Sequence, residues 1–277
     1  MISCVLKGGL GNQMFQIAAV VNLAVENKIA FCFDQNTWPP MGGAGGEAFQ
    51  ASPPTKYLKN VFRKLPFKDI KSKNLFMVYN EPSFHYTEIH PRQNMLLNGY
   101  FQSERYFEKN AEIIKKVFSP PKSIINDFNN RFVKESPDCQ FVSIHVRRGS
   151  HLKNPHYHGS CDSEYFNESI KRFDQTVKFL VFSDDMDWCQ DNFHGDNFLF
   201  VENQKDYEDL YYMSLCHHNI ICNSTFSWWS AWLNTNEGKI IISPKKWFGP
   251  GYSGHNLSDM VPPEWEIIDN GLEGERA

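Results

Sequence analysis

Apolar positions along this chain fall into two rhythms. The run ISCVL at residues 2–6 reads as a buried strand. It passes through the turn KGGLGNQ at residues 7–13 into a stretch where Met14, Ile17, Ala18, Val21, Ala24 and Val25 recur at helical spacing. A second short apolar run, IAFCF at residues 29–33, completes a strand–turn–helix–strand opening. From residue 36 to about 91 the periodicity weakens, and Pro39, Pro40, the glycine-rich piece at 41–46 and Pro53-Pro54 read as loops within an insertion. MLLNGYF at residues 95–101 predicts another strand, and a Ser/Glu start signal predicts a helix over 103–118.

After Ser119-Pro120-Pro121 and an asparagine-rich stretch the rhythm becomes regular. Strands are predicted at CQFVSIHV (139–146), VKFLVFS (177–183), NFLFV (197–201), NIICN (219–223) and KIIIS (239–243). Between them fall predicted helices at 164–173, 186–192, 207–216 and 226–233. Buried strands alternating with short helices predict a parallel, doubly wound α/β sheet. Such sheets bind ligands outside the carboxyl ends of their strands. The chain of 277 residues is long for one core, so two domains with a cleft between them are expected, divided as 1–135 and 136–277.

Composition narrows the function classes. A hydrophobic content of 41% and a charged content of 22% are those of a globular protein and exclude a disordered one. The net charge of -4 offers no general attraction to nucleic acid or anionic membrane, so anion binding must come from a few placed residues. Seven scattered cysteines with no CxxC pair predict reduced core thiols rather than a disulfide framework or zinc site. No apolar run reaches the roughly 18 residues that span a bilayer, and the strand at residue 2 leaves no signal peptide before it. The expectation is a soluble, cytoplasmic protein.

Candidate chemistry sits at the predicted strand ends. In the turn at 7–13, Gly9 and Gly11 let backbone approach a ligand, yet no Gly-Lys-Ser/Thr follows and no third glycine completes a dinucleotide fingerprint; a plain strand–helix turn fits equally. In SIHVRRG (143–149), strand alternation puts Ser143, His145 and Arg147 on one face and Val142, Ile144 and Val146 on the other. A half-buried guanidinium needs an anion, either a ligand phosphate or Asp184 or Asp185 at the neighbouring strand end. Asp185-Met186-Asp187 spells a metal-binding DxD motif, but capping of the helix that starts there explains the acids better. His217-His218 face apart and are not joint metal ligands. Asp206, Glu208 and Asp209 are candidates for a guanine base edge, or for a solvated helix face. Ser224, Thr225, Phe226 and Ser227 open a helix after a strand, where hydroxyls and amides cap the helix or hold phosphate oxygens.

GGLGNQMFQ, NGYFQSERYF, HVRRG, VFSDDMDWC, MSLCHHNIICNSTFSWWSAWLN and PKKWF, in that order over nearly the whole chain, resemble glycosyltransferase family 11, the α-1,2-fucosyltransferases. The resemblance implies a GT-B-like fold of two Rossmann-like domains and GDP-β-L-fucose as donor. It further implies inversion at the anomeric carbon and neither metal nor cofactor. The acceptor partner would be a glycan, a β-galactoside by type. Arg147 would neutralise the diphosphate, and Asn12 would face the fucose as the second catalytic residue. Gly9, Gly11, Gln13, His145, Asp184, Asp209, Ser224, Thr225, Phe226 and Ser227 would form the donor site, with Asp209 on guanine. The family motif HxRRGD ends here in Ser150, so a carboxylate is missing. A protein O-fucosyltransferase-like enzyme and a non-catalytic GDP-sugar or glycan-binding protein are the alternatives.

Overall fold

The computed structural model describes residues 1–36, 53–71 and 73–271; the proline pair at 39–40 and the glycine-rich piece at 41–46 lie outside them. The chain forms two compact units: Met1–Ser119 with His255–Pro262, and Pro120–Gly254 with the chain from Pro263 onward.

In the first unit β1 (Ile2–Cys4) leads into α1 (Leu10–Glu26), followed by β2 (Phe33–Asp34), β3 (Phe67–Lys68), β4 (Met77–Asn80), β5 (Met95–Asn98) and α2 (Ala111–Phe118). β5 lies between β1 and β4, all parallel. On the other flank Phe31 bridges Ile2 in parallel and β2 pairs β3. Chain therefore leaves β1 in both directions, which makes its carboxyl end a switch point. Every position of α1 from Leu10 to Ala24 is buried except Asn12. β4 was hidden in the weakly patterned region because Met77, Val78 and Asn80 are exposed at a sheet edge.

The helix expected over 103–118 is replaced by two 3-10 turns, Glu104–Tyr106 and Glu108–Asn110, before α2. Phe107, at φ -149, interrupts the helical path and places its own ring and that of Tyr106 in the core. Burying two large aromatics there outweighs one continuous hydrogen-bond ladder.

The second unit begins with α3 (Lys122–Phe128) and a π-helical turn, Asn129–Val133. Phe128 and Phe132 pack on Phe141 and Tyr212, so residues from Pro120 travel with this unit. Then come β6 (Phe141–Val146), α4 (Gly149–Lys153), α5 (Ser163–Ile170), β7 (Lys178–Ser183), α6 (Met186–Asn192) and β8 (Phe198–Phe200). α7 (Asp206–Leu215), β9 (His218–Ile220), α8 (Thr225–Leu233), β10 (Ile241–Pro244) and β11 (Glu266–Ile268) complete it. The six strands run parallel in the order β11-β10-β9-β6-β7-β8. The path reverses between β6 and β9, the doubly wound arrangement with its crevice at their carboxyl ends.

Alternation along β6 is as the sequence predicts. Val142, Ile144 and Val146 join Tyr165, Phe166 and Phe179 in one core cluster. The opposite face carries Ser143, which accepts a hydrogen bond from Asn219 Nδ2 at 2.7 Å, and His145 beside α8. α8 is anchored by Trp228, Trp229 and Trp232, with Trp232 stacked on Trp228 and Trp265 packed against Trp228 at 42°. All seven cysteines are free thiols, six of them buried.

Candidate active site

At the β6/β9 switch point strand β6 ends in His145 and Val146, and Arg147 and Arg148 follow it directly. His145 is buried, with Nδ1 3.2 Å from the Cys222 thiol and its ring 5.4 Å from that of Phe226. Burial first, and then the Arg147 charge, push His145 down to about 3, so it is neutral at working pH. Burial pushes the Cys222 thiol up to about 12. A protonated thiol thus faces a neutral imidazole.

Arg147 forms an ion pair with Asp184, Nη1 to Oδ2 at 2.8 Å. The other oxygen of Asp184 accepts the backbone N–H of Arg148 at 2.9 Å. Gly149 permits this approach, because a Cβ there would lie 2.6 Å from the Asp184 carboxylate. Arg148 turns away to Asp185, Nε to Oδ2 at 2.9 Å, and stacks on Trp188 at 4.4 Å. Asp185 also caps α6, accepting from Trp188 N at 3.4 Å. The first residue of the DxD text is therefore a cap and an arginine partner.

On the β9 side, Ser224 is the N-cap of α8 and accepts from Phe226 N at 3.3 Å. Thr225 and Phe226 form the first helical positions. Ser227 is buried and its hydroxyl donates within the turn, toward the carbonyls of Ser224 (3.1 Å) and Cys222 (3.2 Å). The structure brings together His145, Arg147, Asp184 and this turn. Asp209 stands one turn into α7, with charged neighbours Asp206, Glu208 and Arg131. Its Oδ1 is buried without a hydrogen-bond partner, and burial followed by the two acids pushes Asp209 up to about 7.

The first unit's switch point gathers amides. Gly8, at φ +77, turns the chain so tightly that a Cβ would meet Asn12 Nδ2 at 2.4 Å. Gly9 is the N-cap of α1, in extended backbone, and Gly11 is buried in the first turn. Gln13 Nε2 donates to the Gly8 carbonyl at 3.1 Å. Gln16 holds both backbone groups of Lys7, at 3.0 and 3.2 Å. Asn12 Oδ1 accepts from Gln102 Nε2 at 2.8 Å, which joins GGLGNQ to NGYFQ. Sequence reading missed Glu81, which accepts the N–H groups of Tyr100 (2.6 Å) and Phe101 (2.9 Å). Phe101 at φ +53 was the hidden cause: a left-handed non-glycine needs such a fixed partner.

A doubly wound α/β unit whose switch point holds arginines and a helix N-terminus belongs to the class that binds phosphorylated ligands there. The chain is a member of glycosyl transferase family 11, which it matches over residues 1–269, and it is a glycosyltransferase. It is 29% identical to the O-antigen biosynthesis glycosyltransferase WbnK of Escherichia coli, over 96% of this chain and 99% of that protein. An Escherichia coli alpha-1,2-colitosyltransferase is 30% identical over 95% of this chain and 97% of its own length. The human galactoside alpha-(1,2)-fucosyltransferase 1 is 25% identical, over 94% of this chain and 76% of that protein. Among the described residues no helix is long and apolar enough to cross a membrane.

Proposed function

We propose that this chain transfers L-fucose from GDP-β-L-fucose to a galactoside hydroxyl, forming an α-1,2 linkage with inversion. The observation that carries the reading is the β6/β9 switch point, where Arg147 and the start of α8 converge. Asp184 orients the guanidinium, and the planar fork then takes diphosphate oxygens beside the N-terminal turn of α8. Charge that develops on the departing diphosphate is stabilised by these groups in place of a metal ion. Asp209 accepts the N1–H and N2–H of guanine, which gives its buried carboxylate oxygen a partner. His145 lines the nucleotide site as a neutral donor; in the first unit, Gly9, Gly11, Asn12 and Gln13 are the residues proposed to read the sugar. The names of two relatives, a human fucosyltransferase and a bacterial colitosyltransferase, both specify α-1,2 transfer and support the linkage.

The colitosyltransferase favours a second reading of the donor, since colitose is fucose without its 3-hydroxyl. Incubation with labelled GDP-fucose or GDP-colitose and a panel of β-galactosides decides between them, with NMR of the product fixing linkage and anomeric configuration. An α-1,2-fucosyl galactoside is expected. Donor binding without turnover on any glycan acceptor would return the chain to a binding protein, and transfer only to a protein hydroxyl would place it with O-fucosyltransferases.

A further inference from the structure

The transfer just described needs a group to take the acceptor's proton, and the obvious titratable side chains at this sheet edge are occupied. His145 is buried against Cys222, Asp184 is held by Arg147, and Asp185 by Arg148. His151 differs. It lies in α4, which begins immediately after the arginine pair, and it is only partly buried. Its Nδ1 lies 3.2 Å from the Gly159 carbonyl, an acceptor, so Nδ1 carries the hydrogen and Nε2 keeps a lone pair. Nε2 has no hydrogen-bond partner among the described residues.

The orienting carbonyl is itself fixed. Asn223, buried in the turn between β9 and α8, donates Nδ2 to Gly159 O at 2.6 Å and to Trp247 O at 3.0 Å. The loop at 154–160 is thereby tied to the same turn that starts α8. His158 stacks on the His151 ring, centroids 5.4 Å apart and planes 21° apart, which fixes the ring plane. A ring nitrogen oriented through a second group tied to the scaffold is the arrangement that general bases require.

We infer that His151 is the general base of the transfer, its Nε2 accepting the proton of the acceptor hydroxyl. This rests on the donor–acceptor reading above. In the step the acceptor oxygen forms a bond to the anomeric carbon while the bond from that carbon to the β-phosphate oxygen breaks. The electron pair leaves on the diphosphate, which Arg147 stabilises, and the hydroxyl proton moves to Nε2 and then to water. Burial, followed by the nearby His158 and Arg147, pushes His151 down to about 4, so it is unprotonated when the acceptor arrives. Its basicity then matches that of a carboxylate.

His151→Ala and His151→Gln in the full chain test this, each measured for GDP affinity, melting temperature, kcat on a β-galactoside, and reaction of GDP-fucose with azide. Azide attacks without losing a proton. The expected result is unchanged GDP affinity and melting, a fall in galactoside kcat of about 100- to 10,000-fold, and fucosyl azide formed by His151→Ala at the wild-type rate. Retention of near-normal kcat in either variant overturns the assignment. So does a fall in azide reaction parallel to that with galactoside, or loss of GDP binding. No transfer by the wild-type chain would sink the donor–acceptor reading itself, and the role of His151 with it.

Discussion

The two units each present a strand-order switch point at the carboxyl ends of parallel strands, but they furnish it with opposite chemistry. Around β1 the groups are amides and backbone: Asn12 to Gln102, Gln16 to Lys7, Gln13 to Gly8. Among the charged groups there, Lys7 donates to Asn98 and lies over Tyr100, with Glu81 as its charged neighbour, and burial pulls its pKa down. Around β6 the groups are charges paired at 2.8 and 2.9 Å, Arg147 to Asp184 and Arg148 to Asp185. A neutral amide network reads hydroxyls and geometry, whereas held guanidinium groups read anions. On the proposed reading, one fold rule yields a sugar-reading edge in one unit and a phosphate-reading edge in the other.

The largest expected effect tests the charged edge. Arg147→Lys lowers kcat roughly 100- to 1,000-fold, about 2.7 to 4 kcal/mol, because a point charge replaces a fork that holds two oxygens. Arg148→Lys acts instead on melting temperature, since that side chain is engaged by Asp185 and Trp188. Kinetics and melting of both variants separate the roles; the reverse pattern would exchange the two faces of β6.

Next comes Asp209, whose carboxyl sits at about 7. Guanine takes the ionised form, so GDP affinity rises as pH climbs through 7 and then levels. Asp209→Asn removes that dependence and weakens GDP binding about tenfold or more. Stability has the opposite sign: a carboxyl raised from 3.8 to about 7 holds its proton in the folded state, so its contribution falls as pH rises through that window. Asp209→Asn should therefore melt higher than wild type at pH 8 in the absence of nucleotide. A titration calorimeter and melting curves at pH 6 and 8 check both signs.

A smaller effect probes the amide edge. Gly8→Ala puts a side chain on a left-handed residue and against Asn12, costing about 1–2 kcal/mol of stability, read as a lower melting temperature. The smallest is none at all: excess EDTA leaves turnover unchanged. Loss of activity that manganese or magnesium restores would show that Asp185 and Asp187 serve a cation.

Much of the charged edge was legible in the sequence. Continuous apolar runs predict β6, β7, β9 and β10, and strand alternation separates His145 from the Val142, Ile144 and Val146 face. The helix expected at 186–192 is α6, Met186–Asn192. Elements held by long-range contacts were not legible. β11 is three residues, one of them Glu266, and exists because β10 offers it an edge. α3 looked like a polar linker, although Phe128 and Phe132 four residues apart signal a helix face. The site residues that escaped share a trait: Glu81, Gln102 and His151 work through partners 19, 90 and 8 residues away. Charge and glycine patterns advertise a turn, whereas an amide or imidazole acquires its role only when the fold supplies the partner.

Calorimetric titration of GDP into wild type, Arg147→Ala and Asn12→Ala tests the division of labour most directly. Loss of a charge-assisted contact predicts GDP binding weaker by about 10- to 150-fold in Arg147→Ala. Asn12→Ala should bind GDP as wild type does while transferring fucose more slowly. GDP affinity lost with Asn12 and kept without Arg147 would contradict the account.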